Sequence, residues 1–230
     1  MSCDKYEEKG KSDEFFTNSR DNLMKMSANI LMLADIPISF TKLQKIIKDS
    51  PKSLQEIKNP EWQKDNTWFQ AFLEATENTS PDNNAEYERV LEYFTKDLIR
   101  LPDKTRESVI GTALTALQKC TDGFTGKFLG KKTNITPYAA LRGRIIILDY
   151  PVKVYEKDGA NIQKIFKYFF QKTIERQKPE DKAPVFLWAD ECQFCINDYD
   201  LSFQTTARSS NVITVYLTQN LPSLYSFTGK

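Results

Sequence analysis

The spacing of apolar residues divides the chain into a helical first half and a second half that alternates strands and helices. From Ser12 to about Cys120, apolar residues recur at intervals of three and four, which is the period of an amphipathic helix. Ser39, Ser53 and Asp103 have the residue type and position of helix N-caps. This pattern predicts an all-α domain over residues 1–122. Its predicted core positions are Leu23, Met26, Ile30, Leu33, Leu43, Ile46, Ile47, Tyr87, Val90, Leu91, Phe94, Leu98, Leu101, Val109, Ile110, Ala113, Leu114 and Leu117.

Short apolar runs begin only after Arg144. Residues 145–148, 185–189 and 212–217 each predict a strand, and the run at 185–189 has no polar alternation, which predicts burial on both faces. Residues 162–174 carry the apolar stripe of a crossover helix. The order strand, helix, strand, helix, strand predicts a parallel sheet with right-handed crossovers. We therefore expect an α/β domain over residues 144–230, joined to the helical domain by a basic, glycine-containing connector over 123–143.

The residues best suited to chemistry stand at the carboxyl ends of the last two predicted strands. Asp190 and Glu191 follow the first, and Thr218 and Gln219 follow the second. Ligands of open parallel sheets bind at such ends. An acidic pair there suits a nucleoside triphosphatase, in which one carboxylate holds Mg²⁺ through water and the other activates the attacking water. Arg208, between the two strands, is a permanent cation able to neutralise transition-state charge in a neighbouring subunit's site.

Three segments resemble the ATPase core of the conjugative coupling proteins of type IV secretion, the TraD/TraG kind of FtsK/HerA-like P-loop ATPase. They are VFLWADE at 185–191, ARSS at 207–210 and VYLTQNL at 215–221. The likeness continues upstream to Phe15 and Phe16, so it covers most of the chain. The resemblance implies a partial RecA-like parallel sheet with an N-terminal all-α domain. It also implies a hexameric, DNA-translocating ATPase that passes relaxase-bound single-stranded DNA to a secretion channel.

The resemblance further implies a role for each site residue. Asp190 and Glu191 match the Walker B pair, with Asp190 on Mg²⁺ through water, and Arg208 matches the arginine finger. Gln219 matches the glutamine of the third motif, with Thr218 beside it as a nucleotide contact. The implied cofactors are ATP and Mg²⁺. The implied partners are single-stranded DNA, the relaxase with its relaxosome, and the channel ATPases, on the cytoplasmic face of a bacterial inner membrane.

Two features depart from that family. The sequence contains no G-x-x-x-x-G-K-[ST], and its closest glycine-containing stretch, residues 123–133, has the wrong spacing. It also contains no apolar run of membrane-spanning length, whereas the family has membrane helices before its motor domain. From these departures we expect an internal fragment of a longer coupling protein. Such a fragment would be inactive alone and would contact the membrane only through segments absent here.

Charge adds little to the case for nucleic-acid binding. The 32 basic residues are matched by 31 acidic ones, so any DNA contact must be a local patch. Lys127, Lys131, Lys132 and Arg142, in and around the connector, are the candidate phosphate contacts. The helical domain offers aromatic side chains that either stack on single-stranded bases or fill the core. These are Trp62, Trp68, Phe69 and Phe72.

Histidine and cysteine content narrows the possible chemistry. The chain has no histidine, which excludes serine-histidine and cysteine-histidine triads and histidine-bearing metal sites. Its four cysteines form no disulfide framework in a chain of this length and suggest a reducing compartment. Cys192 and Cys195 have C-x-x-C spacing, which permits redox chemistry, whereas a zinc site would need a second such pair.

Three alternatives stay open at this level. A superfamily 2 helicase is suggested because Asp190-Glu191-Cys192-Gln193 resembles its D-E-x-H/Q box, although the serine-alanine-threonine signature of that family is missing. A non-catalytic module that docks protein or DNA is a second alternative. A metal-dependent nuclease is a third, and it would need further carboxylates near the acidic pair, such as Asp149.

Overall fold

The computed structural model describes residues 3–129, 134–177 and 184–228 of the chain. Contacts between residues divide the chain into two compact units, Met1–Lys131 and Lys132–Lys230. Each unit is described by itself below.

The first unit is built from helices. Its α-helices are α1 (Cys3–Leu33), α2 (Phe40–Lys48), α3 (Leu54–Ile57), α4 (Pro60–Gln63), α5 (Thr67–Glu77), α6 (Asn84–Glu92), α7 (Leu98–Arg100), α8 (Asp103–Thr121) and α9 (Gly123–Leu129). A π-helical turn, Tyr93–Asp97, lies between α6 and α7. Helix α9 lies in the first part of the segment that was predicted to be a basic, glycine-containing connector.

Two of the three predicted caps are confirmed. Ser39 accepts a hydrogen bond from the backbone N–H of Lys42 at 3.2 Å, and Ser53 accepts one from Glu56 at 3.2 Å. The prediction for Asp103 is wrong, since that residue is the first of α8 and Pro102 takes the cap position. The Asp103 carboxylate instead accepts from the guanidinium of Arg106, three residues along the same helix, at 2.6 Å.

The core of the first unit follows the predicted apolar pattern. Thirteen of the predicted core positions are buried, and they are Leu23, Met26, Ile30, Leu33, Leu43, Ile46, Ile47, Val90, Phe94, Leu98, Val109, Ala113 and Leu117. Trp68 belongs to the same core, with 1% of its surface exposed, and it stacks on Phe72 with ring centroids 5.4 Å apart. Trp62 and Phe69 pack against this cluster. Of the two predicted roles for these aromatics, the core role is the one that the structure supports for Trp68.

The second unit combines helices with a small parallel sheet. Its elements are α10 (Tyr138–Leu141), α11 (Val152–Glu175), β1 (Val185–Ala189), a 3₁₀ turn (Cys192–Phe194), α12 (Tyr199–Thr206), β2 (Val212–Tyr216) and α13 (Leu221–Thr228). Strands β1 and β2 pair in parallel, with Val185 opposite Val212 and Ala189 opposite Tyr216. Helix α12 connects them, as parallel pairing requires a crossover. The chain is therefore mostly helical and carries a two-stranded parallel sheet in the part that the structure describes.

Only one face of this sheet is covered, which corrects the prediction that β1 is buried on both faces. Val185 and Val212 are buried against side chains of α11 and α12, namely Phe170, Ile174, Phe203 and Ala207. On the opposite face, Phe186 and Trp188 are 62% and 63% exposed, and Ile213 is also exposed. Both helices pack on the same side, so the second apolar face of the strands has no covering element among the described residues.

The strand predicted over residues 145–148 is absent. Residues 144–150 run without helix or strand, and Ile145 and Ile147 are exposed. β1 and β2 pair with each other, and the 145–148 run does not join their sheet. A high strand propensity is not enough without tertiary packing that places the run beside the edge of a strand.

Helix α11 matches the predicted crossover helix in position and departs from it in detail. Ile162, Phe170 and Ile174 are buried as expected, but Phe169 is exposed. Near its start the helix is kinked at Glu156, whose φ of 45° and ψ of −128° are not helical. None of the helices in the described residues has the length and apolar character needed to cross a membrane.

The uncovered face of the sheet predicts how tryptophan fluorescence responds to acrylamide. Trp188 is the most exposed of the three tryptophans, whereas Trp68 is buried. We expect Trp188→Phe to remove most of the emission that acrylamide quenches, and Trp68→Phe, the matched control, to leave that quenchable emission in place. Unchanged quenching in Trp188→Phe would mean that the face of the sheet is covered in solution.

Candidate functional site

The chain makes a strained turn where β1 ends. Glu191 has φ 48° and ψ 47°, the left-handed region, which costs a residue with a Cβ about 1–2 kcal/mol. Two hydrogen bonds hold this turn. The Glu191 N–H donates to Oδ1 of Asp190 at 2.9 Å, and the Cys192 N–H donates to the carbonyl oxygen of Leu217 at 2.8 Å. The turn therefore orients the Glu191 side chain and hydrogen-bonds the backbone of the next residue to the end of β2.

The turn brings Glu191 to Gln219, as their positions at neighbouring strand ends predicted. The Gln219 amide Nε2 donates to Oε1 of Glu191 at 2.8 Å. A second amide occupies the other carboxylate oxygen, because Nε2 of Gln193 donates to Oε2 at 2.5 Å. Thr218 completes the group by donating its hydroxyl to Oε1 of Gln193 at 2.9 Å. We call Glu191, Gln193, Thr218 and Gln219 the edge cluster.

The role of Gln193 was missed by sequence reasoning. The residue entered only as one letter of a helicase-like box, although its place two residues after Glu191 was a usable signal. In a tight 3₁₀ turn, a long amide at that position can reach back to the preceding acid. The Thr218 hydroxyl contacts Gln193, and its predicted contact to a nucleotide stays a prediction.

Asp190 is exposed, and one of its carboxylate oxygens accepts from a backbone N–H. The predicted contact of Asp190 to Mg²⁺ through water stays a prediction. No three acidic or cysteine side chains in the described residues converge into a group that could hold a metal directly. A nuclease would need such a group, so nothing in the described part favours that alternative. The residues here suit the water-activating part of a nucleotide site, while the sequence offers no phosphate loop.

Arg208 is not brought to the edge cluster. It is exposed in the turn between α12 and β2, so it lies at the amino end of β2, whereas Gln219 follows the carboxyl end. The five-residue strand between them spans roughly 13 Å at about 3.3 Å per residue. Arg208 therefore does not act on Glu191 of its own chain, and the predicted action on a neighbouring subunit stays a prediction.

The candidate DNA contacts are divided between the two units and the residues that the structure does not describe. Lys127 is exposed on α9 in the first unit, and Arg142 is exposed after α10 in the second. Lys131 and Lys132 lie outside the described residues. A cleft of about 410 Å³ occurs in the first unit. Trp62, one of the aromatics offered for base stacking, lines it, and none of the candidate phosphate contacts does.

The C-x-x-C pair is buried beside the edge cluster. Cys192 and Cys195 pack with Ala189, and Tyr216 and Leu224 lie against them. Burial raises the pKa of both thiols above the ordinary value. A reactive cysteine needs the opposite shift, because the thiolate is the nucleophile. The structure therefore supports a packing role for the pair.

A second polar group, buried under the sheet, was not anticipated. Asp200 on α12 is 3% exposed and Lys167 on α11 is 5% exposed, and their charged atoms are 2.5 Å apart. Asp200 also accepts from the Tyr216 hydroxyl at 2.7 Å, from the Gln171 amide at 2.7 Å and from the Asn197 N–H at 2.7 Å. Tyr216, Gln171 and Lys167 lie 16 to 33 positions from Asp200 in the chain. No local sequence pattern therefore indicated these three contacts. We call Lys167, Gln171, Asp200 and Tyr216 the buried network.

The pKa shifts in the buried network follow from burial and from its hydrogen bonds. Burial alone raises the pKa of Asp200, but the hydrogen bonds from Lys167, Tyr216 and the Asn197 N–H outweigh it and leave that pKa below its usual value. Burial, followed by the Asp200 carboxylate, raises the pKa of the Tyr216 hydroxyl. Tyr216 is the last residue of β2, two positions before Thr218. The buried network therefore fixes the strand from which the edge cluster projects.

Comparison with known proteins adds no family. No protein-family model, no curated protein and no solved structure matches this chain. The function is accordingly argued from the edge cluster and from the segments quoted above.

Breaking the buried ion pair should destabilise the second unit strongly. Asp200→Asn leaves Lys167 charged and buried without its partner, a change that costs about 3–5 kcal/mol. Removing both charges with Lys167→Met and Asp200→Leu should cost less than the single change. Urea unfolding, followed through the backbone amide NMR signals of β1 and β2, measures each free energy. Asp198→Asn, at an exposed carboxylate two residues away, is the control and should change stability by less than about 0.5 kcal/mol.

The same carboxylate predicts a dependence of stability on pH. The folded-state pKa of Asp200 lies below the unfolded value of about 3.9, so its stabilisation is complete above that value. It is lost as the pH falls through the folded-state pKa. The free energy of unfolding of the second unit should therefore drop more steeply below about pH 4 in the natural sequence than in Asp200→Asn. Parallel curves for the two proteins would contradict the assigned shift.

Proposed function

We propose that this chain forms the water-activating edge of a DNA-translocating ATPase of the conjugative coupling-protein kind. One observation carries the proposal, namely the hydrogen bond of 2.8 Å between Gln219 and Glu191. It joins an acid and an amide at the carboxyl ends of two adjacent parallel strands, where sheet proteins bind their ligands. The segments that resemble coupling proteins, 185–191 and 215–221, are the ones that supply this pair.

The chemistry proposed for the chain is the activation of water. Bound ATP with Mg²⁺ would supply the phosphoryl group that the water attacks. Glu191 accepts the proton of that water on a carboxylate oxygen, and Gln219 orients the water through its amide. Asp190, exposed beside them, holds the water shell of Mg²⁺. The strained backbone of Glu191 is consistent with such a role, because left-handed non-glycine residues concentrate at functional sites.

The remaining parts of the proposal come from the resemblance. The proposal requires a phosphate-binding loop that these 230 residues do not contain. Arg208, at the far end of β2, acts as the finger in the site of the next subunit of a hexameric ring. The partners are single-stranded DNA, a relaxase with its relaxosome and the ATPases of a secretion channel, and the work is done at the cytoplasmic face of the inner membrane.

A docking module is the second candidate. The observation that favours it is the uncovered sheet face of Phe186, Trp188 and Ile213, because exposed apolar surface of this kind marks interaction sites. In this alternative the edge cluster only shapes the turn after β1. The helicase alternative shares its acidic pair with the motor and gains no observation of its own.

ATP hydrolysis distinguishes the two candidates. We would compare this chain with a form that also carries a phosphate-binding loop ahead of it, each with and without single-stranded DNA. The motor proposal expects turnover, stimulated by DNA, only in the longer form. A longer form that binds DNA or relaxase but never hydrolyses ATP would contradict the motor and leave the docking module.

Within that longer form, Glu191→Gln should abolish most of the activity. The amide cannot accept the proton of the attacking water, so turnover should fall by about 10²- to 10⁴-fold while nucleotide binding is retained. Asp198→Asn removes an exposed carboxylate of the same loop and serves as the matched control with unchanged turnover. Normal hydrolysis by Glu191→Gln would sink the assignment of Glu191.

A further inference from the structure

The two amides that bind Glu191 differ in how firmly they are held. Gln193 is 5% exposed and lies in the 3₁₀ turn Cys192–Phe194, whose cysteine is buried with Cys195 beneath Leu224 of α13. Its side chain is fixed at both ends, because the nitrogen donates to Glu191 and the oxygen accepts from Thr218 at 2.9 Å. If Gln193 leaves Glu191, the amide of a buried residue loses its partner, which costs free energy.

Gln219 is held much more loosely. It lies beyond the last residue of β2, its side chain is exposed, and its amide reaches Glu191 from the solvent side. Water can replace an exposed donor at little cost, whereas a buried donor has no such substitute. The carboxylate of Glu191 therefore has one oxygen, Oε2, bound by a buried residue, and one oxygen, Oε1, bound by an exposed residue that water can replace.

We propose that Gln193 is the positioning residue of the site, which holds Oε2 so that Oε1 alone takes the proton from water. In this arrangement Gln219 covers Oε1 when no substrate is present and uncovers it when its amide turns to the water or the phosphate. The inference rests on the proposed function. It adds which carboxylate oxygen, Oε1, accepts the proton, and that Gln219 binds this oxygen before the water does. Thr218 serves the site by fixing Gln193.

Side-chain amide exchange in the 230-residue chain tests this division directly. The NH₂ signals of Gln193 and Gln219 are assigned in the ¹⁵N-labelled protein by their loss in Gln193→Met and Gln219→Met. We expect the Gln193 protons to exchange with water about tenfold more slowly than those of Gln219, or slower still, since a buried hydrogen bond to a charged group outlasts an exposed one. Equal rates for the two amides would overturn the proposal.

A pair of threonine variants separates positioning from general stability. Thr218→Val removes the hydroxyl that fixes Gln193 and should raise the exchange rate of the Gln193 amide towards that of Gln219. Thr214→Val removes a hydroxyl on the same strand that donates to Gln204 at 2.9 Å, and it should leave both rates unchanged. The backbone N–H groups of Leu217 and Cys192 should stay protected in both variants. An unchanged Gln193 rate in Thr218→Val would count against the proposal.

The outcome is separable from that of the ATPase experiment. Exchange is measured without nucleotide, and if Thr218→Val fails to fold, the comparison of the two glutamines in the unsubstituted chain still decides. In one outcome the Gln193 amide exchanges slowly and the Gln219 amide fast, while the longer form never hydrolyses ATP. That result would contradict the proposed function alone. In a protein that does hydrolyse ATP, equal rates would contradict the role of Gln193 alone, and Gln193→Met should then keep normal turnover.

Discussion

The second unit depends on one buried carboxylate. An ionised aspartate beneath a two-stranded sheet is tolerated only if its charge and its lone pairs are satisfied, and Asp200 obtains this from Lys167, Tyr216, Gln171 and a backbone N–H. Those donors come from α11, from β2 and from the loop before α12. Apolar contacts of Val185 and Val212 with Phe170 and Phe203 join the same elements. The hydrogen bonds of one acid add directional contacts to that apolar packing.

The edge cluster inherits its geometry from that arrangement. Tyr216 ends β2 with its hydroxyl anchored inside, and the next residues, Leu217 to Gln219, run along the turn that follows β1. The Leu217 N–H donates to Ala189, and the carbonyl oxygen of Leu217 accepts from Cys192, so both strand ends move together. A polar interior on one side of the strands thus supports the edge cluster at their ends.

Short-range sequence patterns predicted the features of this protein that depend on neighbouring residues in the chain. Helical spacing located the core of the first unit because an amphipathic face needs only its own period. The meeting of Glu191 with Gln219 followed from parallel pairing of two strands. What the local patterns missed depends on tertiary placement. The 145–148 run forms no strand, Trp188 lacks a covering layer among the described residues, and Asp200 binds Lys167, which is 33 residues away. The spacing of residues along the chain does not predict contacts between residues that are distant in sequence.

The open face of the sheet has a consequence for handling the chain at concentration. Phe186, Trp188 and Ile213 present a flat apolar surface, and each of the two strands has one unpaired edge among the described residues. Surfaces of that kind attract one another, because burying them releases ordered water and edge strands accept further strands. With a net charge of +1, long-range repulsion between molecules is weak. Colloidal stability, more than folding stability, then sets the concentration at which this chain stays monodisperse.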